Sequence, residues 1–274
     1  MNIRHNPPVG FLQEETRIGY TISADMKKLW VVQMDLLQYL LDVCNKHGLR
    51  IYADGGTLLG AIRHKGFIPW DDDMDIIMPL EDMMLFKKKF QSNTIQYLDI
   101  DTCKHYDYHF SRVAHLATFS KEGLAGKSYG VNIDLYPVVG MPDTEEEIRS
   151  FLKSLKPLYA KRMNYIKWKS RAVRFLPVTT IPHFDEVIRQ FRDIVLYRFP
   201  YEGAKNYLHA GDVTLVDIFS FDVFENLIDV EFEGRQYKGV GRYHDYLTHC
   251  YGDYMQLPPE DQRVPYHGGA YYWK

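Results

Sequence analysis

The stretch Gly55–Ile76, GGTLLGAIRHKGFIPWDDDMDI, decides the reading of this 274-residue chain. A small-residue turn, Gly55-Gly56-Thr57, follows a short and largely apolar run, Leu49, Ile51, Tyr52 and Ala53, that reads as a strand. Further on come Asp71, Asp72, Asp73 and Asp75, interrupted only by Met74 and followed by Ile76 and Ile77. Carboxylates packed this densely repel one another unless a cation sits among them. Residues two apart on a strand share a face, so Asp71, Asp73 and Asp75 are expected on one side, with Met74 and Ile76 on the other. Three hard oxygen donors on one face suit Mg2+, or Mn2+, which completes its shell with water and substrate phosphates. The glycine turn lets backbone N–H groups come close to those phosphates. The pattern points to metal-dependent chemistry on a phosphate ester.

Two plainer readings fit less well. A solvated acidic turn does not usually carry apolar flanks such as Phe67, Ile68, Pro69 and Trp70 before it and Ile76, Ile77 and Met78 after it. A Ca2+-binding loop needs a glycine at its sixth position and a glutamate at fixed spacing, and neither is present.

The string closely resembles the signature of the LicD family of phosphotransferases, which attach phosphocholine to bacterial cell-surface glycans. The likeness extends upstream, from Phe11 through Gly19-Tyr20 and Met26-Lys27-Lys28-Leu29-Trp30 to His47-Gly48, and downstream, over Tyr246-Leu247, Tyr251-Gly252-Asp253-Tyr254-Met255 and Leu257-Pro258-Pro259. It covers the first eighty residues and the last forty well, and the middle weakly. The family is similar to the nucleotidyltransferase fold, whose pattern is a Gly-Gly or Gly-Ser turn followed by Asp-x-Asp. Here Asp73-Met74-Asp75 is the second element, and Gly56-Thr57 stands where Gly-Ser is usual, keeping a hydroxyl.

The resemblance implies an α+β fold with a nucleotidyltransferase-like mixed sheet flanked by helices, over about residues 25–141. It also implies a third acid on a strand next to the Asp-x-Asp strand. Asp134 fills that place. The run Val131-Asn132-Ile133-Asp134-Leu135-Tyr136 alternates as a strand should, with Pro137 expected to end it. An Asp between Ile133 and Leu135 is costly unless it meets a cation or donors. The candidate catalytic residues are therefore Asp73, Asp75 and Asp134, and the candidate metal ligands are these with Asp71. Gly55, Gly56 and Thr57, together with Arg63, His64 and Lys65 between the turn and the acids, are candidate phosphate contacts. Trp70 reads as packing behind the acids.

The family reading makes CDP-choline the donor, the hydroxyl of a lipid-linked glycan or teichoic acid precursor the acceptor, and CMP the leaving group. Relatives move CDP-linked ribitol phosphate or glycerol phosphate instead. A metal-dependent module that holds a phosphocholine glycan without turning it over is the alternative from another class.

The rest of the chain bounds this reading. At 46% hydrophobic, the chain can bury a substantial core as one catalytic unit. A formal net charge of −3 argues against nucleic acid as a partner. Cys44, Cys103 and Cys250 show no metal spacing and read as thiols of a reducing compartment. No apolar run reaches membrane-span length and the N-terminus carries no secretory h-region, so a cytoplasmic protein is expected, or one peripheral on the inner face of the plasma membrane.

Ser23 is placed to cap a helix that runs to His47 and ends at Gly48. A short helix near 57–63, an acidic strand at 73–78, a helix over Leu80–Phe90 and strands at 95–101 and 109–117 follow. From Pro142 the chain is expected to be mainly helical, at 144–170 and 184–197, with Pro157 kinking or splitting the first helix. Between Phe151 and Phe184 stand Lys153, Lys156, Lys161, Arg162, Lys167, Lys169, Arg171 and Arg174, with no Asp or Glu among them. Such a basic amphipathic stretch, about 151–174, suits an anionic membrane surface or a phosphate-rich acceptor. Twenty-one tyrosines and the aromatic tail Pro265–Trp273 raise a further expectation, that a quaternary ammonium is held by aromatic faces and that the tail folds over the site.

Overall fold

A computed structural model describes residues 7–120, 129–172, 185–220, 222, 224–265 and 271–273. A hairpin of β1 (Glu15–Arg17) and β2 (Tyr20–Ile22) leads into α1 (Ala24–His47). The Ser23 side chain accepts the Met26 N–H, and Gly48 ends the helix in the left-handed region at φ 65°, the two caps that the sequence announces. Then come β3 (Tyr52–Ala53), α2 (Gly55–His64), β4 (Asp75–Pro79), α3 (Leu80–Lys89), β5 (Ile95–Leu98), β6 (Ser111–His115), β7 (Thr118–Ser120) and β8 (Asn132–Met141). The second half carries α4 (Glu145–Ala172), α5 (Asp185–Leu196), β9 (Asn206–His209), β10 (Ile218–Phe219), β11 (Ile228–Phe232), β12 (Arg235–Gly239), α6 (Tyr243–Tyr251) and β13 (Tyr271–Trp273).

The protein is α+β, built on a mixed sheet in which β4 and β8 run parallel while their other neighbours are antiparallel. Helical character in the second half holds through α5. Beyond it the chain returns to strands, adding β9 and β10 to the main sheet and forming the separate β11–β12 hairpin.

Strand β8 is the organising element. One edge pairs with β4, and the other pairs first with β6, at residues 132–135, and then with β9, at residues 138–141. Pro137 does not end this strand. Its carbonyl accepts from Ala210 N–H just beyond β9, so its nitrogen points to the edge where β6 has finished and β9 has not begun. No ladder donor is needed at that place, which is why proline is tolerated inside a central strand. Pro157 likewise lies within α4, which continues on both sides of it.

Alternation sorts the sheet into two faces. Ile76, Met78, Ile133 and Leu135 join Trp30, Met34, Leu37, Leu40 and Cys44 of α1 in the main core. Trp30 is fully buried and stacks on Phe67 with ring centroids 4.5 Å apart; truncating a side chain of this size typically costs about 3–5 kcal/mol. Asp75, Asp134 and Tyr136 occupy the opposite face. Trp70 packs with Leu58, Leu59 and Leu247 in a second core, the structural role expected of it. All three cysteines are free, Cys44 buried and the other two half-buried. Among the described residues no helix is long and apolar enough to cross a membrane.

Candidate active site

The two acids predicted to lie on adjoining strands do so, in register: Asp75 of β4 is the direct neighbour of Asp134 of β8. Only Asp75 of the acidic run lies in the sheet. Asp71, Asp72 and Asp73 precede β4 in a segment whose exposure still alternates, with Asp72 and Met74 buried and Asp71, Asp73 and Asp75 half-buried. Helix α1 fixes the backbone of this segment, as Trp30 Nε1 donates to the Asp71 carbonyl at 2.9 Å and Gln33 Nε2 to the Asp72 carbonyl at 3.0 Å.

The glycine turn is the first turn of α2 rather than a loop before it. Gly55 has φ 44°, and a Cβ there would lie 3.3 Å from Asp75 Oδ2. A Cβ on Gly56 would lie 2.8 Å from Asp71 Oδ2, closer than real contacts allow. Glycine is favoured at the first by its left-handed φ and at the second by the close approach of Asp71, whose carboxylate a side chain would displace. Thr57 is buried, and its hydroxyl oxygen accepts the Asp75 N–H at 2.9 Å, so it ties the strand to the helix.

The charge balance of the acids is unusual. Burial first, then repulsion from Asp73, Asp134 and Asp54, pushes the Asp75 carboxyl well above its ordinary range. Burial and the neighbouring Asp73 do the same to Asp71, which shares a hydrogen bond with Asp73. Carboxylate oxygens of Asp71, Asp72 and Asp73 all lie within 4.8 Å of one another. An all-oxygen set in which Asp71 and Asp75 are held above their ordinary range by burial and by neighbouring carboxylates fits a hard divalent cation.

Asp134 is held differently. Arg112 of β6 forks onto it, Nη2 donating to Oδ2 at 2.8 Å, and Tyr136 donates to the same oxygen at 3.2 Å. The Arg112 guanidinium also lies 4.1 Å from the Tyr108 ring centroid.

Arg63, His64 and Lys65 are not brought to the acids. They sit at the far end of α2, a helix roughly 15 Å long at ten residues. Arg63 donates to the carbonyls of Tyr254 and Gln256, and to His64 Nε2. Burial and then the Arg63 charge push His64 down to about 4. Lys65 is exposed at φ 58°, and its carbonyl accepts the Glu233 N–H at the tip of the β11–β12 hairpin. These residues serve the docking of α2.

A group that the sequence did not single out takes their place. Asp54, immediately before the glycines, is buried at 2% exposure. Its Oδ2 lies 2.6 Å from His209 Nε2, and its Oδ1 accepts from the Tyr246 hydroxyl. Burial alone would raise Asp54, but the His209 charge and these hydrogen bonds outweigh it and hold Asp54 below the ordinary carboxylate value. Burial likewise opposes the charge on His209, yet Asp54 and Asp217 together carry it up to about 10. Tyr246 belongs to the C-terminal segment that carries part of the family likeness.

These groups line one cleft of about 640 Å3, within the range of small-molecule sites. Asp73, Asp75 and Asp134 stand on one side; Arg162, Met163 and Ile166 of α4 contribute to the lining, as do Tyr108, Phe110, Tyr136 and Tyr251. Of the basic stretch on α4, Arg162 and Lys169 are buried, so neither is available to a membrane, and Arg174 lies outside the described residues. Lys153, Lys156, Lys161, Lys167 and Arg171 are exposed, as is Trp168. In the aromatic tail, residues 266–270 lie outside the described residues, while 271–273 form β13 against β7.

Comparison with known proteins agrees with this geometry. The family described as LicD/FKTN/FKRP, nucleotidyltransferase domain, matches residues 48–182, which include α2, the acids and β8. The lipopolysaccharide cholinephosphotransferase LicD of Haemophilus influenzae is 28% identical over 262 residues, covering 88% of this chain and 97% of its own length. The ribitol 5-phosphate transferases FKRP of mouse and human are 46% identical over 46 residues, 17% of this chain and 9% of theirs. A parallel strand pair that sets Asp75 beside Asp134, a family match that spans it, and a bacterial relative aligned almost end to end lead to one conclusion: the chain belongs to the LicD family of phosphotransferases.

Proposed function

We propose that the chain transfers phosphocholine from CDP-choline to a sugar hydroxyl of a cell-surface glycan precursor of the teichoic acid type, releasing CMP. The observation that carries this is the set of half-buried acids, Asp71, Asp73 and Asp75 with Asp134, beneath the Gly55-Gly56 start of α2. The choice of choline follows the relative aligned over 97% of its length, and the aromatic lining of the cleft suits a quaternary ammonium.

The acids would hold Mg2+, or Mn2+, which when bound offsets charge on the two phosphates and on the leaving CMP. Gly55 and Gly56 place no side chain before the backbone at the helix N-terminus, where partial positive charge favours a phosphate. The acceptor oxygen forms its bond to the phosphorus that bears choline, and the bond from that phosphorus to the bridging oxygen breaks, leaving the oxygen on CMP. The hydroxyl proton passes to Asp134, whose carboxylate keeps acceptor capacity beyond the two bonds it receives. Arg112 orients that carboxylate. The exposed lysines of α4 and Trp168 suit a peripheral contact with an anionic membrane on the cytoplasmic side, where a lipid-linked acceptor would be presented.

The local match to FKRP favours a second reading, in which the group moved is ribitol phosphate or another polyol phosphate carried on CDP. The test is CMP release with Mg2+ from CDP-choline, CDP-ribitol and CDP-glycerol, with and without a lipid-linked glycan. Acceptor-dependent release from CDP-choline supports the first reading, and release from a polyol donor alone supports the second. Product affinity without release from any donor would mean a binding module.

A further inference from the structure

The cleft has a second charged pole, on the α4 wall. Arg162 lines it at 8% exposure. Its Nε and Nη2 both donate to the Asp107 carbonyl, at 3.3 and 2.9 Å. Its other donors find no acceptor among the described residues, and no carboxylate there lies within ion-pair distance of it. The Asp107 carboxylate is already taken by Lys169, at 2.7 and 3.0 Å. The other cations of the cleft differ, since Arg112 is neutralised by Asp134 and His209 by Asp54.

His109 lies close by and lines the same cleft. It is 4% exposed and its ring packs 5.0 Å from that of Phe191. Among the described residues its ring nitrogens make no well-formed hydrogen bond, with the backbone of Ala210 and Gly211 close enough to act on them. The Arg162 guanidinium lies 5.6 Å from the same Phe191 ring. Burial and then the Arg162 charge push His109 down to about 3, against the backbone of Ala210 and Gly211, which works the other way. The carboxylates of Asp107, already taken by Lys169, and of Asp212 act on Arg162 only from beyond ion-pair distance and do not outweigh the cost of its burial, which an anion from a ligand would offset. Its planar fork matches phosphate oxygens better than a lysine does.

We infer that Arg162, backed by His109, forms a phosphate-binding subsite on the α4 wall of the cleft, separate from the acids. The assignment of phosphate, rather than another anion, rests on the phosphotransferase reading. The group bound is either a donor phosphate or a phosphate carried by the acceptor.

Inorganic pyrophosphate and CMP, titrated calorimetrically into the protein with Mg2+, test this without depending on the identity of the donor. Arg162→Gln is expected to weaken pyrophosphate binding by about tenfold or more, and Arg162→Lys, which keeps charge and stem, by less. Arg149→Gln, at an exposed position near the start of α4 where the side chain pairs with Glu145, is the control and is expected to bind as the unsubstituted chain does. Should Arg162→Gln fail to fold, Arg162→Lys carries the test alone, with a loss of about threefold or more expected. In turnover, a raised KM for the donor identifies a donor phosphate, and a raised KM for the acceptor alone identifies the acceptor's. Unchanged pyrophosphate affinity in the folded Arg162 variants, or no pyrophosphate binding by the unsubstituted chain, would overturn the subsite. Absence of turnover with every CDP-linked donor, with pyrophosphate binding still lost on substitution, would overturn the donor assignment and leave the subsite standing.

Discussion

Asp54 is buried and Asp75 half-buried, and the Asp54 N–H donates to the Asp75 carbonyl at 3.0 Å, yet their carboxyl groups are driven in opposite directions. Asp54 faces an imidazolium and a tyrosine hydroxyl, and stays ionised because the fold supplies its counter-charge. Asp75 faces Asp73 and Asp134, and the fold gives it no equivalent partner. The first carboxylate is completed by the chain itself. The second is left by the fold without a dominant counter-charge, which on the proposed function a bound cation would supply. Both are carboxylates close together in the fold, so the partner each one meets is what sets their charge apart.

The largest effect should come from breaking the functional side. Asp75→Asn is expected to lower turnover by about 1000-fold, since it removes charge where the cation and phosphates meet. In metal-free buffer the same change should not destabilise the fold, because a raised carboxyl costs stability above its unfolded value. The sign follows from proton counts: the folded chain holds more protons than the unfolded one above about pH 4, so its stability falls as pH rises. Urea denaturation of both proteins in EDTA should show Asp75→Asn gaining on the unsubstituted chain from pH 5 to pH 8. A variant that is both inactive and several kcal/mol less stable would make Asp75 a structural acid like Asp54.

His209→Gln attacks the other side and should reverse the pattern. It leaves Asp54 buried without its cation, a change that typically costs about 3–5 kcal/mol. Because folding raises His209 from 6.5 to about 10, its contribution is fully present below pH 6.5 and is lost as pH rises through about 10. The unsubstituted chain should therefore lose stability on that alkaline limb, and the variant should lack this component. At acid pH the signs are opposite for His64 and His109, which folding lowers to about 4 and about 3. Their contribution is present above pH 6.5 and declines as pH falls from there, together with that of Asp54 and Asp217 below about pH 4. Thermal melts across pH 4 to 10.5 would read both limbs. An unchanged alkaline limb in His209→Gln would remove the imidazolium from the account.

How much of this the sequence disclosed follows the same division. The functional acids were legible because they break a local rule: carboxylates crowd together between apolar flanks, and Asp134 interrupts an alternating strand. The caps of α1 were legible because Ser23 and Gly48 act within one turn of the helix. The completed acid was not. Asp54 before two glycines reads as an ordinary turn residue, and its partners His209 and Tyr246 lie more than 150 residues away, where only tertiary pairing brings them in. Tyr246 stood in the C-terminal likeness without a role, and that was the one signal available. Pro137 misled because its effect depends on which neighbouring strand is present at that residue, which no local pattern records.

Arg63, His64 and Lys65 show the converse error, in which nearness along the chain stands in for nearness to the acids. Helix α2 carries them away from its first turn, Arg63 to the carbonyls of Tyr254 and Gln256 and Lys65 to the β11–β12 tip, so they should behave as packing and capping residues. Lys65→Gly offers the finest discrimination, because it removes the side chain and relieves a left-handed backbone at φ 58°. Stability should rise by up to about 1 kcal/mol, with KM for the donor unchanged. If Lys65 touched a phosphate, KM would rise and become less sensitive to salt. The two outcomes differ in sign on stability and in kind on binding, so a small effect suffices to decide whether this loop belongs with the buried, self-completed half of the molecule or with the half that waits for its ligand.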